Sequence, residues 1–64
     1  MRTKLVSGNQ FLQRWAVYSG PTKLGYVIGC RETASEPWAW RAYDVDTRLI
    51  GAYMSRGHCL DAVR

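Results

Sequence analysis

The sequence predicts an α+β fold: a small antiparallel sheet of about four strands, in β-β-β-β-α order, with one C-terminal helix packed on one face. Three observations lead there. Four segments rich in aromatic and β-branched residues follow one another, each bounded by turn-forming residues. After Ser55 the period changes, and Cys59, Leu60 and Val63 recur at i, i+1 and i+4, one face of a helix. The chain has 64 residues and is 47 % hydrophobic, which allows one core and therefore a single domain over 1–64.

Residues 1–10 are the least committed. Ser7-Gly8-Asn9 is turn chemistry, so Leu5 and Val6 can form a short edge strand, or the segment can be a mobile N-terminal arm. A rival reading makes Ser7 the N-cap of a short helix carrying Phe11, Leu12 and Trp15. Residues 11–19 (FLQRWAVYS) read as a strand, and Gly20-Pro21-Thr22 breaks it. Residues 23–31 (KLGYVIGCR) then complete a hairpin, followed by a polar connection from Glu32 to Pro37. Residues 38–45 (WAWRAYDV) and 48–54 (RLIGAYM) are the third and fourth strands, joined at Asp46-Thr47. Ser55 is placed to cap the helix. A helix of about ten residues is marginal alone in water and must pack on the sheet to exist.

Side chains alternate faces along a strand, so the faces can be assigned. With a two-residue turn at Asp46-Thr47, Asp44 pairs with Leu49, Ala42 with Gly51 and Trp40 with Tyr53. The expected core under the helix is then Trp15, Val17, Leu24, Tyr26, Ile28, Trp38, Trp40, Leu49 and Tyr53. In this assignment Gly25, Val27 and Gly29 share the other face with Arg31. The open face shows Arg14, Tyr18, Arg31, Arg41, Tyr43 and Arg48.

Composition narrows the function classes. Nine Lys and Arg against five Asp and Glu give a net charge of +4, a bias suited to acidic partners such as nucleic acid. The cations are scattered rather than run together, and seven of the nine are Arg, the better phosphate binder. No stretch approaches the ~18 apolar residues of a membrane span. The opening residues MRTKLVSGNQ have no apolar signal-peptide region, so a cytoplasmic location is expected. There thiols stay reduced, and Cys30 and Cys59 are expected to be free and buried, with a disulfide or a metal-ligand role as alternatives.

No constellation specifies an enzyme. His58 and Cys59 are adjacent, and neighbours on a helix point about 100° apart, so they do not make a nucleophile and its base. Cys30, His58 and Cys59 are three ligands without the spacing of a zinc site. Asp44 and Asp46 suit turn hydrogen bonding rather than a calcium loop, which would need a terminal Glu. Gly25 and Gly29 lie in a strand pattern, not a phosphate loop; there they mark twist, a bulge or a close backbone approach. No catalytic residue, metal or cofactor is therefore expected.

The remaining feature is the open face. Arg14, Arg31, Arg41 and Arg48, interleaved with Tyr18 and Tyr43, predict a surface that clamps phosphates and packs on bases, with Lys4 and Lys23 reaching backbone from the edges. The stretch from Trp38 to Arg64 runs strand, acidic turn, strand with Gly-x-Tyr, Ser, then an Ala-containing helix. It resembles the three-stranded-sheet-plus-helix DNA-binding domains of plant ethylene-response factors and the arm-site-binding domains of tyrosine-recombinase integrases. That resemblance implies a sheet laid in the major groove, with Arg31, Arg41 and Arg48 reading bases or phosphates. The expectation is a non-enzymatic binding module whose partner is nucleic acid or a nucleic-acid-processing protein complex. The alternative is a small protein-binding inhibitor of phage type, for example an anti-CRISPR protein, acting by steric occlusion through Trp, Tyr and Arg. A homodimer through an edge strand, 48–54 or 11–19, is compatible with both.

Overall fold

The computed structural model describes residues 2–64. Five strands and one helix follow in order: β1 (Arg2–Gly8), β2 (Leu12–Ser19), β3 (Thr22–Cys30), β4 (Ala39–Asp44), β5 (Leu49–Tyr53) and α1 (Arg56–Val63). The strands form one antiparallel meander in the order β1-β2-β3-β4-β5. The predicted α+β class holds, with one strand more than the four expected.

The extra strand is β1. Residues 2–8 take the edge-strand reading of this segment, extended beyond Leu5 and Val6, and not the helical one; they pair with β2 from Arg2↔Tyr18 to Gly8↔Gln13. Asn9 fixes the turn that follows. Its Oδ1 accepts from the Phe11 and Leu12 amides at 2.8 and 2.9 Å. That side chain supplies the local hydrogen bonds that favour a turn over a helix. Because β1 covers β2, the strand at 12–19 is internal, and the free edges are β1 and β5.

Two hairpin turns set the register of the middle strands. Gly20, with φ 58°, leads the turn between β2 and β3, a conformation glycine adopts without a Cβ penalty. Between β4 and β5 the turn is one residue longer than expected. The Thr47 amide donates to the Asp44 carbonyl at 3.0 Å, and Thr47 takes φ 63°. This is a type I turn followed by a left-handed residue, which places a bulge in the hairpin. Ala42↔Gly51 and Trp40↔Tyr53 pair as expected, whereas Leu49 pairs with Tyr43 rather than Asp44. Leu49 is consequently on the uncovered face and exposed, not in the core.

The core differs from expectation in β3. Val17, Val27, Trp40, Ala42, Cys59 and Val63 form its buried centre, and Trp15, Leu24, Trp38, Tyr53 and Leu60 pack against it. Tyr26 and Ile28 are not under the helix. The face of β3 that meets α1 is Gly25, Val27 and Gly29, because Val27 pairs with Trp15 on one side and Ala42 on the other. Bulk at this layer comes from β4: a Cβ on Gly29 would lie 2.7–2.9 Å from three atoms of the Trp40 ring.

α1 packs on β3, β4 and β5. Ser55 caps it as expected, its Oγ accepting from the His58 amide at 3.2 Å. Cys59 and Val63 point into the core. At the helix start Arg56 lies 4.5 Å over the Trp15 ring, and its Nη2 donates to Thr3 Oγ1 at 3.1 Å, tying α1 to β1 and β2. Both cysteines are free; Cys59 is buried under α1 and Cys30 is half-buried on the opposite face of the sheet. No helix among the described residues is long and apolar enough to cross a membrane.

Candidate nucleic-acid interface

The face of the sheet opposite α1 is built from rows of paired residues. One row runs Arg2–Tyr18–Lys23 across β1, β2 and β3. The next runs Lys4–Ala16–Tyr26–Tyr43–Leu49 across all five strands, and the third Ser7–Arg14–Ile28–Arg41–Ala52. Period-two alternation puts each row on one side of the sheet. Of the sequence-predicted residues, Arg14, Tyr18, Arg41 and Tyr43 are thus brought together.

Two predicted residues lie elsewhere. Arg31 follows the parity of β3, so it falls on the helix side once Gly29 does. Its Nε donates to the Gln10 carbonyl at 2.7 Å and its Nη1 to the Ala34 carbonyl at 3.1 Å. Its guanidinium also stacks 4.4 Å from the Trp38 ring. It clamps the β1–β2 and β3–β4 connections together. Arg48 sits at the tip of the β4–β5 hairpin, outside the paired rows and exposed. There the Asp44 carboxylate accepts from the Arg48 and Asp46 amides, both at 2.9 Å, which is the turn role expected of Asp44.

The face gains Arg2, which the sequence pattern did not single out, and Tyr26, which it placed in the core, and takes in Lys4 and Lys23 as well. Tyr26 is its centre. Arg14 lies 4.7 Å from the Tyr26 ring centroid and Lys23 5.2 Å from it, while Arg2 and Lys23 lie 5.2 and 5.8 Å from the Tyr18 ring. Lys23 Nζ donates to Tyr26 Oη at 3.2 Å. That hydrogen bond, with the charges of Tyr18 and Tyr26 behind it, holds the Lys23 ammonium above its usual range. The signal for Tyr26 was present in the sequence: Gly25 and Gly29 flank Val27 on one face, leaving the larger residues of β3 for the other.

Charge is segregated. Arg2, Lys4, Arg14, Lys23 and Arg41 all belong to this face. The five acidic residues lie off it: Glu32 and Glu36 in the β3–β4 loop, Asp44 and Asp46 at the hairpin tip, Asp61 on α1. Among the described residues the one ion pair is Arg64–Asp61, on the helix. Arg2, Arg14 and Lys23 therefore have aromatic rings beneath them, and among the described residues none of the five face cations is paired with a carboxylate.

Searches against family models, curated proteins and solved structures find no match to this chain. Assignment therefore rests on the site itself.

Other chemistry has less to work with. Among the described residues no cluster of three or more His, Cys, Asp or Glu is placed to hold a metal ion. Cys59 is fully buried, and burial pushes its thiol up to about 11, away from the thiolate a nucleophile needs. A shallow groove of about 560 Å³ runs beside β5, lined by Trp40, Arg41, Tyr53, Met54 and His58 among others. Arg41 is its one charged wall, shared with the open face.

Proposed function

We propose that this protein is a non-enzymatic module that binds nucleic acid through the uncovered face of its sheet. One observation carries the reading: five cations and three tyrosines share that face while every carboxylate of the chain lies elsewhere. A phosphate backbone supplies the counter-charge that the face lacks, and bases supply flat partners for the rings. The balance of terms is favourable. Lifting a cation off an exposed ring costs about 0.5–1 kcal/mol, and a base stacked in its place returns about 1–3 kcal/mol, with the freed cation then available to a phosphate.

The test is a fluorescence-polarisation titration with single- and double-stranded DNA and RNA at low and near-physiological salt. Binding that persists near ~0.15 M salt and is lost in the Arg14→Ala, Arg41→Ala double variant is the expected result. Each phosphate neutralised on a single strand contributes about −0.7 to the slope of log K against log salt, so five cations cap the slope near about −3.5. Binding at low salt alone, or binding indifferent to both substitutions, overturns the reading.

The reading as a small inhibitor that occludes a protein surface draws on the β5 edge of the sheet. Leu49, Ile50 and Met54 are exposed at the β5 edge, and β5 carries no charge. An interface there would be anchored by apolar contact and much less sensitive to salt. A partner captured from lysate at high salt and released by Met54→Asp would favour this second reading.

A further inference from the structure

We infer that the nucleic acid this face takes is a single strand with its bases separated from one another, lying on Tyr18, Tyr26 and Tyr43, and that a duplex binds far more weakly; this rests on the nucleic-acid reading above.

The first support is width. Strands in a sheet lie about 4.8 Å apart, so cations on β1 and on β4 stand roughly 14 Å apart before their side chains are added. Arg2 and Lys4 are on β1 and Arg41 is on β4. The major groove of B-DNA is only about 12 Å wide. A face of this breadth is too wide to enter the groove, so a duplex meets it through phosphates alone and leaves the three rings without bases.

The spacing of the rings points the same way. Tyr26 and Tyr43 are direct cross-strand partners. Tyr18 lies two residues beyond Ala16, the partner of Tyr26. Direct partners have Cβ atoms about 5 Å apart and diagonal ones about 7–8 Å. Both steps exceed the ~3.4 Å rise of a stacked strand. Bases seated on successive rings are therefore pulled apart from each other. A paired helix cannot present bases in that way without melting, whereas a single strand can. Strands that unstack most easily, the pyrimidine tracts, fit best.

The third support is how the cations are held. Arg14, Arg2 and Lys23 already lie over Tyr26 and Tyr18. Arg14 Nε is buried there without a hydrogen-bond partner among the described residues. A base arriving on Tyr26 displaces this guanidinium toward the phosphate flanking that base, and its Nε–H gains an acceptor. Ring and cation thus serve adjacent parts of one nucleotide.

The experiment measures binding of the full chain to labelled oligothymidine, oligouridine and oligoadenosine of about a dozen nucleotides, and to a duplex of equal length, at one salt concentration. Oligothymidine or oligouridine should bind about tenfold or more tightly than the duplex, with oligoadenosine between. Tyr43→Leu should cost roughly tenfold, the scale of one lost stacking contact, and Tyr43→Phe should retain affinity. Circular dichroism confirms that each variant is folded. A duplex bound as tightly as the single strands overturns the inference and leaves the nucleic-acid reading standing. Binding of none of these polymers at physiological salt overturns both. Single-strand preference that Tyr43→Leu does not weaken shows that the rings are not where the bases lie.

Discussion

Gly29 makes room for the Trp40 ring of the neighbouring strand β4. With no side chain there, the Trp40 ring lies against the β3 backbone, and a methyl group would meet it at 2.7–2.9 Å. Gly29→Ala should therefore destabilise the fold by about 1–3 kcal/mol, the usual scale of overpacking, read as a lower urea midpoint at unchanged slope. Gly57 is the contrast. It lies inside α1, and a methyl group there would have nothing within 4 Å, so Gly57→Ala should stabilise by up to about 1 kcal/mol through helix propensity. The arginines divide in a similar way. Arg31 makes two hydrogen bonds to carbonyls and stacks on Trp38, so Arg31→Met should lower the melting temperature, by about 1–2 kcal/mol of stability, with nucleic-acid affinity little changed. Arg41 is exposed and has no such ties, so Arg41→Ala should leave the melting temperature nearly unchanged and weaken binding. The reverse pattern would mean that the two residues have exchanged roles.

At the scale of elements, β4 and α1 were legible and β3 was half legible. Trp40 and Ala42 alternate with Arg41 and Tyr43, and Cys59, Leu60 and Val63 mark one helix face; both patterns separate apolar from polar side chains. β3 has no such contrast. Tyr26, Ile28 and Cys30 make the bulkier face, and bulk normally marks burial; Leu24 leaves their row at the bulge opposite Val17 and Tyr18 and packs on the core. Here the opposite face is buried because Trp40 and Val63 fill the room that Gly25 and Gly29 leave; a Cβ on Gly25 would run into the Tyr43 carbonyl and crowd Val63. The single-sequence pattern does not record what a neighbouring strand contributes. β1 was open for a related reason: Arg2 to Gly8 is almost wholly exposed, so its pairing with β2 leaves little apolar periodicity to read. The helix offers a test of the packing itself. Burial raises Cys59 from an ordinary value near 9.0 to about 11. The folded protein then keeps a proton that the unfolded chain gives up. The thiol's contribution is whole below about pH 9 and is lost as pH rises through about 11. Stability measured by urea titration should fall across that window, and Cys59→Ala should flatten the fall even though it lowers stability at neutral pH.

The whole molecule separates its tryptophans from three of its four tyrosines by side, Tyr53 alone joining the tryptophans. Trp15, Trp38 and Trp40 belong to the face that α1 covers, and Tyr18, Tyr26 and Tyr43 to the face it leaves open. Nucleic acid on the tyrosine face should leave tryptophan emission almost unchanged while polarisation reports binding; strong quenching would place the ligand on the helix side. The candidate site was legible as a class, a cationic and aromatic sheet face, and four of its six predicted residues lie there. Arg31 and Arg48 left it because the inverted parity of β3 and the extra residue in the β4–β5 turn moved them. Those two details depend on cross-strand packing and on Thr47 at φ 63°, a conformation uncommon for a non-glycine residue. From Gly25 to Cys30 the division of labour is by parity: odd positions hold the fold together and even positions face outward. Substitutions at Tyr26 and Ile28, or at their outward neighbours Arg14 and Arg41, can accumulate without disturbing the layer beneath α1. A lineage carrying this scaffold is free to change what it recognises while keeping the same core, and its history of variation should be written in alternate residues of one strand.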